Sequence, residues 1–265
     1  MLVVAERINS TRKRIRKAVA DRDSDHIASE AKKQAEAGAD YIDVNAGTSV
    51  KKEVDDLKWL VETVQAAVDK PLCLDSANPK ALRAALDLVE KTPIINSTTA
   101  ETERKEQVVP VAAEGGCSLV ALLMDDSGMP ESAGDRLEVA GMLIPELEEA
   151  GIERERIYVD PLVRPVSTEA AQAKAVLETI RRLNEDFPGV HTICGLSNIS
   201  FGLPARNVLN TTFLALMMEA GLDSAIMDPT EERMTATVAA ARALLDQDDF
   251  CMQYIKAHRA GQFVL

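Results

Sequence analysis

A chain of 265 residues with 46% hydrophobic and 28% charged residues has enough apolar content for one sizeable core and is too apolar for intrinsic disorder. Its net charge of -13 excludes a nucleic-acid binder that works by neutralising phosphates. Nowhere do ~18 uninterrupted apolar residues occur, and the amino terminus lacks a signal-peptide layout, so a cytoplasmic protein that does not cross a membrane is expected.

In chain order, short β-rich runs alternate with longer amphipathic stretches. LVVAERIN begins at Leu2, YIDVNAG at Tyr41, PLCLDSAN at Pro71 and PIINST at Pro93. SLVALLMD begins at Ser118, IYVDPLV at Ile157, HTICGLSN at His191 and SAIMDP at Ser224. Between them, segments such as DDLKWLVETVQAAV and AAQAKAVLETIRRLNEDF place apolar residues three and four apart, which predicts helices. Asn78-Pro79 reads as a cap followed by a first-turn proline, and Asp228 with Glu231 has capping-box spacing. Gly116, Gly151 and Gly221 each follow a helical run, where a left-handed closing residue is needed. Eight such alternations without a linker predict an α/β fold, a single (β/α)8 TIM barrel spanning residues 1–265. The doubly wound alternative lacks its GxGxxG turn.

Barrel enzymes work at the carboxyl ends of their strands. Here those ends carry Glu6, Arg7 and Asn9, then Asp43 and Asn45, Asp75, Asn96, Asp125, Asp160, Ser197 with Asn198, and Asp228. Glu6, Arg7 and Asp43 could serve only to tie the rim, and Asp228 only to cap the last helix. Together, however, carboxylates and amides offer acceptors and donors that match the edge of a flat heterocycle. The histidines His26, His191 and His258 all lie away from strand ends, so neither a histidine-ligated metal site nor a Ser-His-Asp triad is expected. No resident metal is expected. Cys73, Cys117, Cys194 and Cys251 are far apart in apolar surroundings and read as buried free thiols. A basic run, Arg12, Lys13, Arg14, Arg16 and Lys17, follows the first strand and reads equally as a solvated helix face or as a docking surface.

ERIN, DVNAG, CLDS, INST, YVDPL and GLSNISFGLPAR, in that order and at barrel spacing, resemble the pterin-binding methyltransferases. Within that group the chain is most similar to the methyltetrahydrofolate:corrinoid-protein methyltransferases and to the folate-binding domain of cobalamin-dependent methionine synthase. The resemblance implies that Asp75, Asn96 and Asp160 hydrogen-bond the pterin ring of tetrahydrofolate or 5-methyltetrahydrofolate. It implies that Asn198 reaches N5 as the catalytic amide, that Arg206 contacts the folate, and that the chain pairs as a homodimer. Phe201 stands where some relatives have a polar residue. The DxHxxG motif of cobalamin domains is absent, since His26 lies in DSDHIAS, so the corrinoid is expected on a separate partner protein. The direction of transfer stays open, because forward and reverse reactions share one transition state. A non-catalytic folate-binding subunit is the alternative. A dihydropteroate synthase would carry Arg-x-His where this chain has MDPTEE, and a lysine where it has SNIS.

Overall fold

In the computed structural model, which describes residues 1–47, 49 and 51–263, the strand candidates assemble into one parallel sheet. The strands are β1 (Leu2–Asn9), β2 (Tyr41–Asn45), β3 (Leu72–Asp75), β4 (Ile94–Thr99), β5 (Ser118–Leu122), β6 (Ile157–Asp160), β7 (His191–Thr192) and β8 (Ser224–Met227). Sequence neighbours pair throughout, and β1 pairs with β8. Beyond the short β7, a bridge between Gly195 and Ile226 and the 3.0 Å bond from Ile226 N to Cys194 O join it to β8. The result is a single (β/α)8 barrel.

The helices between the strands are α1 (Lys13–Asp21), α2 (Ser24–Glu36), α3 (Glu53–Ala67), α4 (Pro79–Leu86) and α5 (Thr102–Glu114). They continue with α6 (Ala133–Glu149), α7 (Gln172–Asp186), α8 (Arg206–Glu219), α9 (Glu232–Leu244) and, as a closing helix, α10 (Met252–Arg259). No helix among the described residues is long and apolar enough to cross a membrane. Asn78 caps α4 by accepting from Lys80 N at 3.1 Å, with Pro79 in the first turn as expected. Gly116, Gly151 and Gly221 all adopt positive φ, the conformation that costs glycine least. The Asp228–Glu231 capping box does not form. Glu231 itself precedes α9 without a side-chain bond, because Asp228 is engaged by Arg7 and Thr230.

Strand periodicity builds two layers. Ile42, Val44, Leu72, Leu74, Ile95, Leu119, Ala121, Ile157 and Val159 belong to the large core shared with the helices. The alternate residues, Val4, Cys73, Ile94, Val120, Tyr158 and Ile193, form a separate cluster inside the barrel, with Leu2, Tyr41 and Ile226 packed against it. Two positions further along each strand, these inward rows reach Glu6, Asp43, Asp75, Asn96 and Asp160. The polar mouth is therefore the next rung of an apolar plug. Cys73, Cys117 and Cys194 are buried as expected, but Cys251 is exposed, since it lies on the surface turn before α10 rather than in the core.

Arg136, on α6, is fully buried with no carboxylate bonded to it. Its guanidinium donates to Pro161 O at 2.6 Å, Leu162 O at 3.2 Å, Ser132 O at 3.0 Å and Gln172 Oε1 at 2.7 Å. It thereby fixes the turn after β6, where Leu162 sits at φ 58. Replacing Arg136 with Ala leaves these carbonyls unsatisfied in a dry environment, and we expect a loss of about 2–4 kcal/mol. Urea unfolding measures it; a change under about 0.5 kcal/mol, the scale of an ordinary surface substitution, contradicts the account.

Candidate functional site

At the carboxyl ends of the strands, a cavity of about 340 Å³ is lined by Glu6, Asn9, Arg12, Asp43, Asp75, Asn96, Ser197 and Asn198. The register explains the company. Asn45 pairs with Asp75 across β2 and β3, and Asp75 pairs with Asn96 across β3 and β4. Asn45 Nδ2 donates to Asp75 Oδ2 at 3.0 Å, while its Oδ1 accepts from Gly47 N at 3.0 Å. Asp43 stands opposite Cys73, one rung below, and is fully buried. The Cys73 thiol and the Asn96 side chain approach its carboxyl, and its Oδ1 has no partner among the described residues. An Asp43–Arg7 bridge, one of the rim ties considered, is not made.

Asp160 is buried at the end of β6, and its Oδ1 accepts from Leu162 N at 2.8 Å. The Gly195 backbone also donates to this carboxyl, so Asp160 adjoins the cavity wall that Gly195 forms. Asn198 lies beyond the β7 strand proper, on the single turn Leu196–Ser200, and is exposed at the mouth. Arg206 spends its guanidinium on that turn, donating from Nε to Ser200 Oγ at 2.9 Å and from Nη2 to Ser197 O at 2.6 Å. It also borders a second cavity of about 250 Å³ that shares Glu6, Arg12 and Ser197 with the first. Phe201, directly after the turn, is exposed.

Asp125 does not join the site. β5 stops at Leu122, which takes the rung beside Asp160, and Asp125 folds into a surface turn that bonds Ser127. Asp228 belongs to a rim network: Arg7 joins Glu30 at 2.8 Å and Asp228 at 2.9 Å, and Thr230 Oγ1 donates to Asp228 Oδ1 at 2.6 Å. Arg12 lies 3.8 Å from Glu6 and 3.7 Å from Asp228, so this member of the basic run faces the cavity. Arg16 donates to Ser10 O at 2.9 Å and Lys17 pairs with Asp21. Among the described residues, Lys13 and Arg14 are exposed and make no ion pair.

Like Arg136, Arg104 is an anchoring arginine that sequence reasoning passed over. It donates to Ser97 O at 2.9 Å, Ser76 O at 2.9 Å and Ala77 O at 2.5 Å, tying the loop after β3 to strand β4. Nothing in the spacing of α5 marks it; only the carbonyls it reaches reveal it. A wider groove of about 550 Å³ beside α2, α9 and α10 contains none of the strand-end aspartates Asp43, Asp75 and Asp160.

Burial dominates the electrostatics. It pushes Asp160 up to about 7, against the pull of the Leu162 and Gly195 amides and of Arg136. It pushes Asp75 up to about 6, against the Asn45 bond and the charge of Arg104. Glu6 also rises to about 6, through burial opposed by Arg12. Asp43 is raised well above the ordinary range by burial and by the charge of Asp75. Unfolded carboxyls release their protons near about pH 4. Between about pH 4 and 7 the folded chain therefore holds more protons, so its stability falls as pH rises through that window, and Asp43, raised further, extends the fall above it. Carboxylates with lowered values, such as Glu30, cost stability only at still lower pH. The urea midpoint is expected to be higher at pH 5.5 than at pH 8, and equal midpoints contradict the assignment.

Comparison with known proteins follows the same geometry. The model of the pterin binding enzyme family matches residues 5–228. The chain is 38% identical over 264 residues to the methylcorrinoid:tetrahydrofolate methyltransferase of Eubacterium limosum, covering 99% of this chain and 97% of that one. It is 33% identical over 240 residues to the methionine synthase of Mycobacterium tuberculosis, of whose length the match spans 20%. Among solved structures, a 7,8-dihydropteroate synthase from Vibrio fischeri superposes with a TM-score of 0.71 at 17% identity, covering 93% of each chain. One from Xanthomonas albilineans gives 0.70 at 20%, covering 92% of this chain and 91% of that one; both likenesses concern the fold alone. With the family model spanning most of the barrel and a relative 38% identical along nearly its whole length, the chain belongs to the pterin-binding enzyme family.

Proposed function

We propose that the protein transfers a methyl group between N5 of tetrahydrofolate and a corrinoid held by a separate protein. The observation that carries this reading is the mouth itself: half-buried Asp75 and buried Asp160 with the amides of Asn96 and Asn198, at the strand ends of a pterin-family barrel. The similarity to a methylcorrinoid:tetrahydrofolate methyltransferase supports the same reaction class. The segment MDPTEE after β8 lacks the basic ending of a dihydropteroate synthase.

In this reading Asp75 and Asp160 accept from the N–H groups of the pterin edge, and Asn96 completes the match. The match is selective because a buried acceptor left unpaired costs about 1–3 kcal/mol. Asn198, at the exposed lip, contacts N5, where the ring meets the docked partner. An amine nitrogen leaves poorly unless it gains a proton or a strong hydrogen bond, and the neutral amide can follow that change without carrying charge. Arg206 holds the Ser197–Ser200 turn and so sets the position of Asn198. The corrinoid cobalt supplies the other end of the methyl exchange. Exposed Lys13 and Arg14 give an acidic partner a place to dock, and a homodimer is part of the same reading.

Asn198→Ala is expected to slow single-turnover methyl transfer at saturating folate at least tenfold, with little loss of folate affinity. Stopped-flow cobalt spectra isolate the step; a rate within about threefold of wild type, under ~0.7 kcal/mol, removes Asn198 from the chemistry. Reversing Lys13 and Arg14 to Glu is expected to slow transfer with a protein-bound corrinoid several-fold while sparing free cobalamin. Added salt is expected to reproduce part of that loss. Equal slowing with both contradicts a docking role.

A further inference from the structure

Asp43 has no part in the reading above, yet it is the most isolated acid of the mouth. Its side chain lines the cavity, is fully buried, and leaves Oδ1 without a partner. The groups facing it are Cys73 and Asp75 on β3, Glu6 on β1 and Asn96 on β4. None of them is a cation. Two neighbouring carboxyls, one of them withheld from water, resist ionising together. Asp75 is the better placed to keep the negative charge, since it receives the Asn45 amide at 3.0 Å and feels the charge of Arg104. Asp43 has only a thiol and a shared amide to stabilise a charge, so the proton belongs on Asp43.

A neutral carboxyl carries an O–H, and among the described residues none bonds the Asp43 Oδ1 to receive it. We propose that Asp43 is a protonated, ligand-facing acid that donates a hydrogen bond to a lone-pair atom of the bound ring, while the adjacent Asp75 accepts from a ring N–H. The inference rests on the pterin reading and deepens it. The pair selects a heterocycle that presents an acceptor beside a donor, and disfavours one that presents donors alone. A donor left unpaired in the ligand-free cavity gains its partner only on binding, which rewards the matching ring.

The test uses the full chain, tetrahydrofolate as the probe, and infrared difference spectroscopy of the ligand-free protein. At pH 8.5, where Asp160, Asp75 and Glu6 are ionised, the wild type is expected to show a protonated-carboxyl band that disappears in Asp43→Asn. In Asp75→Asn, which removes the neighbouring charge, the same band is expected to titrate at lower pH. Tetrahydrofolate is expected to bind Asp43→Asn within about threefold of wild type, because the amide keeps a donor and no charge. Asp43→Leu, with neither, is expected to lose about tenfold or more, equivalent to ~1.4 kcal/mol. A missing band, a band that survives in Asp43→Asn, or an Asn variant as damaged as the Leu variant overturns the proposal. Tetrahydrofolate that does not bind the wild type overturns the pterin reading instead, and the band alone then decides whether Asp43 holds the proton.

Discussion

Acidic side chains withheld from water, without a cation bonded to them, set the terms for the rest of this barrel. Asp43, Asp75 and Asp160 continue the inward rows of their strands past an apolar plug, so each is desolvated by the architecture that positions it. A barrel built for stability alone would neutralise such groups with lysine or arginine. Here the nearby guanidiniums bind backbone carbonyls instead. Asp75 and Asp160 keep lone pairs beyond the bonds they accept, and that unspent capacity is what a ring with N–H donors can use.

The arginines have a common task. Arg104 ties the loop after β3 to β4, Arg136 holds the turn after β6, and Arg206 the turn that carries Asn198. Each holds main-chain carbonyls from a neighbouring helix, so the segments that adjoin the site residues are tied to the rigid outer ring. The Arg7–Glu30–Asp228 network does the same for the seam between β1 and β8. Recognition then needs little rearrangement of the backbone. Asn198, exposed at the lip, is the residue assigned to the atom that a partner must reach.

Much of this was legible in the sequence, because strand period and helix period differ and because barrel strands run consecutively. Asp75, Asn96 and Asp160 could be placed at the mouth from LCLD, IINS and IYVD, where two residues of spacing separate each polar end from an inward apolar residue. Asp125 was misread because nothing in SLVALLMD shows that pairing stops at Leu122. Asp228 had the spacing of a cap, but tertiary partners from β1 claimed it. The basic run looked uniform, yet Arg12 turns inward, Arg16 binds the Ser10 carbonyl and only Lys13 and Arg14 remain free among its described members. Arg104 and Arg136 could not be singled out, since they look like ordinary first-turn charges on amphipathic helices until the carbonyls they meet are known.

The central claim is that carboxylates at the strand ends, with lone pairs to spare, recognise a pterin edge. A crystal structure of the chain with bound tetrahydrofolate tests it most directly. The account predicts ring N–H groups within about 2.7–3.2 Å of the Asp75 and Asp160 carboxyls, with N5 turned toward Asn198 at the lip. A ring seated elsewhere, for example in the groove beside α2, α9 and α10, with both carboxyls unengaged, would contradict it.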